Sequence, residues 1–205
     1  MTEKHEKIPE RKLKIKRKKY NAKQFFEFTA DLEGRYELIN GQIKLMASPN
    51  VSHQTIAGEL HGELRSYLKG KPCRAFVAPL DVVLFEKDEK NDKNKEDDSQ
   101  NVFQPDVFVV CDPGKISKNK INGAPDLVIE IVSPSNFADD YIDKLVVYMK
   151  HGVREYWIVN PEKKTILAYR NEKDKEMEND AYTFEDKIKV NIFDDFAIDF
   201  KELNL

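Results

Sequence analysis

The stretch "PDLVIEIVSPSN", Pro125 to Asn136, decides how this chain is read. Its centre is dense in β-branched residues, the pattern of a strand buried on both faces. Alternation puts Leu127, Ile129 and Ile131 on one face and Val128, Glu130 and Val132 on the other. Glu130 therefore points where its neighbours are apolar. An isolated carboxylate there costs several kcal/mol unless it is paired or bound to metal. A metal ion, or a core Arg or Lys, is the economical explanation.

A second acidic residue is placed in a similar way. Asp106 opens the apolar run of "QPDVFVVC", just after Pro105, which has no N–H to donate and fixes the strand entry. Asp106 reads either as a ligand or as a turn residue. Asp126, beside Pro125, reads more simply as a strand-entry residue. Two carboxylates from adjacent strands, one at a strand start and one inside a strand, make a hard-oxygen site suited to Mg²⁺, with Mn²⁺ as an alternative.

The elements on either side follow from periodicity. Asn21 is a helix cap for "AKQFFEFTAD", and "RYELINGQIKLMA" reads as a hairpin turning at Asn40-Gly41. "SHQTIAGELHGELRSYLKG" predicts an amphipathic helix with Ile56, Leu60, Leu64 and Leu68 on one face and Ser52 as cap. "AFVAPLDVVLF" reads as a strand that runs into a charged loop from Glu86 to Asn101. "ADDYIDKLVVYMKHG" predicts a helix with Ile142, Leu145, Val146 and Met149 inward, which leaves Lys144 on its rim. "EYWIVNPEKKTILAYR" forms a hairpin at Asn160-Pro161, and "KIKVNIFDDFAIDF" closes the chain as edge strands after a polar tail. The order implies one α/β or α+β domain, residues 21–205, around a mixed sheet.

At 205 residues and 40% apolar content, the chain is long enough for one domain with a real core. A net charge of -3 gives no overall nucleic-acid signal, which leaves its distribution to be read. Arg11, Lys12, Lys14, Lys16, Arg17, Lys18 and Lys19 make seven of the nine residues from Arg11 to Lys19 basic. They read as an arm, residues 1–20, that neutralises phosphates, or as a solvated disordered tail. Cys73 and Cys111 lie in unrelated contexts without metal-ligand spacing, which argues against a disulfide. With no membrane span and no signal segment, a cytoplasmic protein is expected.

From Phe25 to Leu205 the chain resembles the Uma family, a bacterial group classed with restriction endonucleases and long catalogued as a domain of unknown function. The matches are "GRYELINGQIKLMASP", "SHQ", "VAPLDVVL", "QPDVFVVCDP", "GAPDLVIEIVSPS" and "DYIDKLVVYMKHGVREYWIVNPE", in that order. The resemblance implies a PD-(D/E)XK restriction-endonuclease-like fold, a central mixed sheet flanked by helices. It places the two motif carboxylates at Asp106 and Glu130. Strands of this kind usually carry a lysine two residues after the glutamate, where this chain has Val132. The matching lysine is Lys144 on the following helix, which otherwise reads as a surface residue.

The expected activity is hydrolysis of phosphodiester bonds in nucleic acid, most simply DNA, by a metal-dependent endonuclease. Asp106, Glu130 and the Ile131 carbonyl would hold the metal, and Lys144 would orient water or stabilise charge. Glu37, His53 and Gln104 are supporting positions, each with a structural role as its alternative. Glu59 and Glu63 read as a solvated helix face. A dimer is common among enzymes that cut both strands. The rival reading is a catalytically degenerate nuclease-fold module that binds nucleic acid in a regulatory role.

Overall fold

The computed structural model describes residues 18–85, 95–132, 139–171 and 176–205. The apolar runs become its central strands. Along the chain come α1 (Ala22–Thr29), β1 (Tyr36–Ile39), β2 (Gln42–Leu45) and α2 (Val51–Tyr67). Next are β3 (Arg74–Val77), β4 (Asp81–Val83), α3 (Lys95–Asp98), β5 (Val102–Phe103), β6 (Val107–Val110) and β7 (Lys120–Asn122). They are followed by β8 (Leu127–Ile131), α4 (Asp139–Lys150), β9 (Glu155–Asn160) and β10 (Thr165–Arg170). The chain ends with β11 (Glu178–Thr183), β12 (Lys187–Lys189) and β13 (Ala197–Asp199).

Among the described residues these strands form two large sheets and a ribbon, rather than the single mixed sheet the sequence suggests. The six-stranded sheet has the order β11-β10-β9-β8-β6-β3, and the five-stranded sheet β2-β1-β5-β4-β7. The expected strand from Ala75 to Phe85 is divided between them. Its first part, β3, pairs antiparallel with β6; the chain turns at Ala78-Pro79, and β4 pairs with β5 and β7. β8 and β9 are parallel, joined through α4, as a crossover connection requires.

The six-stranded sheet is covered on both faces, which explains why β6 and β8 are apolar throughout. On one face Ile56, Ala57, Leu60 and Leu64 of α2 pack against Val107, Val109, Leu127, Ile129 and Trp157. The C-terminal ribbon joins the same cluster through Ile188, Ile198 and Phe200, so these strands cover core as well as forming an edge. On the other face Val147 and Tyr148 of α4 meet Phe108, Val128 and Tyr156, together with Ile39, Val82 and Phe103 of the five-stranded sheet and Leu84 just after β4.

The structure corrects several sequence expectations. Asn50, not Ser52, caps α2, accepting from the His53 N–H at 2.8 Å. The polar tail contains a strand, β11, whose backbone pairs with β10 despite its hydrophilic side chains. Cys73 and Cys111 are disulfide-bonded, because the β3–β6 register makes them cross-strand neighbours with Cα atoms 3.9 Å apart. In α4, Ile142 and Val146 are each 60% exposed, whereas Lys144 is only 5% exposed. Leu145 and Met149 pack against the core as expected, but the helix is turned so that Lys144, Val147 and Tyr148, not Ile142 and Val146, face the sheet. Of the charged loop from Glu86 to Asn101, residues 86–94 lie outside the described residues; α3 follows, and Ser99 and Asn101 are buried. Among the described residues no helix is long and apolar enough to cross a membrane.

Candidate active site

Asp106 stands one residue before β6. The β6–β8 register pairs Val107 with Ile129, so one further step places Asp106 opposite Glu130. Its Oδ2 accepts from the Ile131 N–H at 2.8 Å and lies 3.1 Å from His53 Nε2. His53 comes from the first turn of α2, so Asp106 is gripped from a strand and from a helix. A carboxylate acceptor places the proton on Nε2. His53 Nδ1 is buried and, among the described residues, lacks a hydrogen-bond partner.

Glu130 is 4% exposed and lies on the α4 face of the sheet. Its Oε1 accepts from Tyr148 Oη at 2.8 Å and from Lys144 Nζ at 3.3 Å. Lys144 Nζ also reaches Glu37 on β1, at 2.9 Å from Oε2 and 3.1 Å from Oε1. One buried ammonium thus bridges two carboxylates that belong to different sheets. Burial pushes the Glu130 carboxyl up to about 8, with the charges of Asp106 and Glu37 adding to the rise against the lowering effect of Lys144. Burial alone would lower the Lys144 ammonium, but Glu130 and Glu37 more than offset it and hold it above its ordinary value. Burial likewise raises the Tyr148 phenol, aided by Glu130 and Glu37, so Tyr148 remains a donor.

Gln104 ties this centre to the five-stranded sheet. Its backbone N–H donates to Glu37 Oε1 at 2.9 Å, and its side chain donates to Asp81 Oδ1 at 2.9 Å and accepts from Arg35 Nε at 3.0 Å. Burial raises the Asp81 carboxyl above its ordinary value despite the Gln104 bond. Gln104 is therefore a bridging residue behind the carboxylates.

The residues proposed from sequence as Asp106, Glu130, Ile131, Lys144, Glu37, His53 and Gln104 are brought into one connected cluster. Tyr148, Arg35 and Asp81 belong to it and were not anticipated. Spacing could have found two of them. Tyr148 is four residues after Lys144 on a helix, and Arg35 is two before Glu37 at the entry to a strand. Of the basic arm, Lys18 and Lys19 fall within the described residues, and neither joins the cluster. Lys18 and Lys19 are exposed beside the β1–β2 hairpin, where the Tyr20 N–H donates to the Gly41 carbonyl. Arg11, Lys12, Lys14, Lys16 and Arg17 lie outside the described residues. Glu63 is exposed and Glu59 half-buried on α2. Asp126 accepts from the Cys111 N–H at 2.8 Å and does the work of a strand-entry residue.

A divalent cation fits this donor set on chemical grounds. Among the described residues no three acidic, His or Cys side chains converge as a closed metal cage. Mg²⁺ does not need one, since it commonly takes one or two carboxylates and completes its shell with water and substrate oxygens. The contacts described fall on Oδ2 of Asp106 and Oε1 of Glu130, leaving Oδ1 and Oε2 as the oxygens to offer. The high Glu130 value fits the same view, since two acids kept close and buried gain from a positive charge between them.

The Uma2 family model, described as "Putative restriction endonuclease", matches residues 22–201. A protein of Synechocystis sp., "Uncharacterized protein slr1290", is 24% identical over 183 residues, covering 88% of this chain and 90% of that one. The fold is similar to the crystal structure of a protein from Anabaena variabilis, described as "a putative nuclease belonging to DUF820". That likeness has a TM-score of 0.67 at 21% identity and covers 89% of this chain and 96% of the other. With nearly all of the described domain matched, the chain belongs to the Uma2 family and has a nuclease-like fold.

Proposed function

We propose that the protein is a metal-dependent endonuclease that hydrolyses phosphodiester bonds in DNA, with Asp106, Glu130 and the Ile131 carbonyl holding Mg²⁺ or Mn²⁺. The observation that carries this reading is Lys144, buried between Glu37 and Glu130 although no lysine follows Glu130 on its own strand. A divalent ion supplies Lewis-acid polarisation of the phosphate and a bound water of lowered pKa. His53 donates to Asp106 and fixes the orientation of that carboxylate. Gln104 and Lys144 hold Glu37, and Glu37 in turn holds the ammonium.

The 3.3 Å contact to Glu130 is the longest that Lys144 makes in this cluster. It is the contact that gives way, freeing one of three ammonium donors for a phosphate oxygen or the attacking water. Supercoiled plasmid incubated with purified protein tests the reading. Nicking is expected with Mg²⁺ or Mn²⁺, not with EDTA, and not with Asp106→Asn. Metal binding without cleavage of DNA would reject the catalytic reading in favour of a binding module, and cleavage confined to RNA would correct the substrate.

A further inference from the structure

We infer that the groove between the C-terminal end of α2 and the edge strand β3 is a phosphate-backbone track for duplex DNA flanking the site, an inference that rests on the nuclease reading above. The groove has a volume of about 640 Å³, and its lining includes Arg65, Lys69, Lys71 and Arg74 but no acidic residue. All four cations are exposed. Acidic residues outnumber Lys and Arg in the whole chain, 37 to 34, so this local excess does not follow from composition.

A helix C-terminus attracts cations through its dipole, which accounts for Arg65 in the last turn of α2. It does not account for Arg74, which belongs to β3. Lys71 lies over the Tyr67 ring, and Tyr67 donates to Asp195 at 2.5 Å, so Lys71 already has a negative neighbour. Among the described residues, Arg65, Lys69 and Arg74 enter no ion pair. Among the described residues β3 pairs with β6 alone, so its other edge presents backbone N–H groups of the kind that contact phosphate.

The groove is in line with the site. His53 near the start of α2 touches Asp106, and Val77 at the end of β3 pairs with Val107 beside it. Arg74 and Arg65 lie at the far ends of the same two elements. The twelve residues from His53 to Arg65 span about 18 Å at 1.5 Å per residue. A duplex rising about 3.4 Å per base pair covers that distance in roughly five pairs. Backbone phosphates that far from the scissile bond would enter the groove, and a shorter flank would not reach it.

The test is fluorescence anisotropy in EDTA, with full-length wild-type protein and the triple variant Arg65→Ala, Lys69→Ala, Arg74→Ala. The probes are a hairpin with a stem of about 4 base pairs, too short to span from the site to the groove, and a duplex of about 24, titrated across salt concentrations. Each phosphate contact contributes about 0.9 to the slope of log K against log salt, so the triple variant should lose about 2 to 3 units of slope on the long duplex. It should bind the hairpin like wild type and melt at the wild-type temperature. An unchanged slope on the long duplex overturns the track while leaving the site reading intact. Equal losses on both duplexes also overturn it, as does wild-type binding with no dependence on DNA length. In the separate Mg²⁺ nicking assay, wild-type protein that binds DNA through the groove but cuts none would sink the catalytic reading alone.

Discussion

Glu130 shows how much a single carboxylate reveals when its neighbours are Val and Ile. The sequence makes it legible because an unpaired charge in such a strand has no cheap explanation. Its partner was less legible, since nothing local links it to a lysine 14 residues on and a glutamate 93 residues before; only the packing of β1 against α4 brings them together. The raised carboxyl has a consequence for stability. Its value in the folded protein, about 8, lies above the ordinary 4.5, so folding favours the protonated form between those limits. Glu130 therefore contributes stability that is fully present below about 4.5 and is lost as pH rises through about 8. Metal-free wild-type protein should become easier to unfold in urea from pH 5 to pH 8. Glu130→Gln, which keeps the geometry without the titration, should show a flatter profile; equal slopes would contradict the assignment.

At the scale of elements, α4 is where a sequence reading and the fold part company. Its apolar residues fit two stripes, and a count of apolar side chains selects the Ile142/Val146 stripe. The sheet instead receives the stripe with Lys144, Val147 and Tyr148, because Glu37 and Glu130 satisfy the polar ends of Lys144 and Tyr148. A polar group with a buried partner can outweigh an apolar one with none, which hydrophobic periodicity does not register. Replacing exposed Ile142 by Lys should change stability by no more than about 0.5 kcal/mol. Val147→Lys, at a buried position, should cost more than about 3 kcal/mol in chemical denaturation, since it buries an unpaired charge. Similar costs for the two would contradict the observed helix orientation. The apolar face of α2, by contrast, was readable, as Ile56, Leu60, Leu64 and Leu68 form one uninterrupted stripe and all are buried, although its cap is Asn50 and not Ser52.

At the scale of the whole molecule, the candidate site is a junction between two sheets. Glu130 comes from the six-stranded sheet and Glu37 from the five-stranded sheet, with Gln104 and Asp106 at the two ends of the three-residue link between β5 and β6. That division was invisible in the sequence, because strand propensity says nothing about which sheet a strand joins. The same limit hid the Cys73–Cys111 bridge, whose cysteines stand 38 residues apart and become neighbours only through the β3–β6 pairing. The family motifs, which span both sheets, were what made the carboxylates legible as a set. On the proposed function, Lys144, supplied by a helix and anchored across this junction, takes the place of the lysine absent at Val132. Single-turnover cleavage of duplex DNA by Lys144→Ala, in saturating Mn²⁺ and with metal binding followed by calorimetry, tests it most directly. The predicted result is a rate at least about 100-fold below wild type with the metal still bound. A rate within about 3-fold of wild type, from folded and metal-loaded protein, would contradict it.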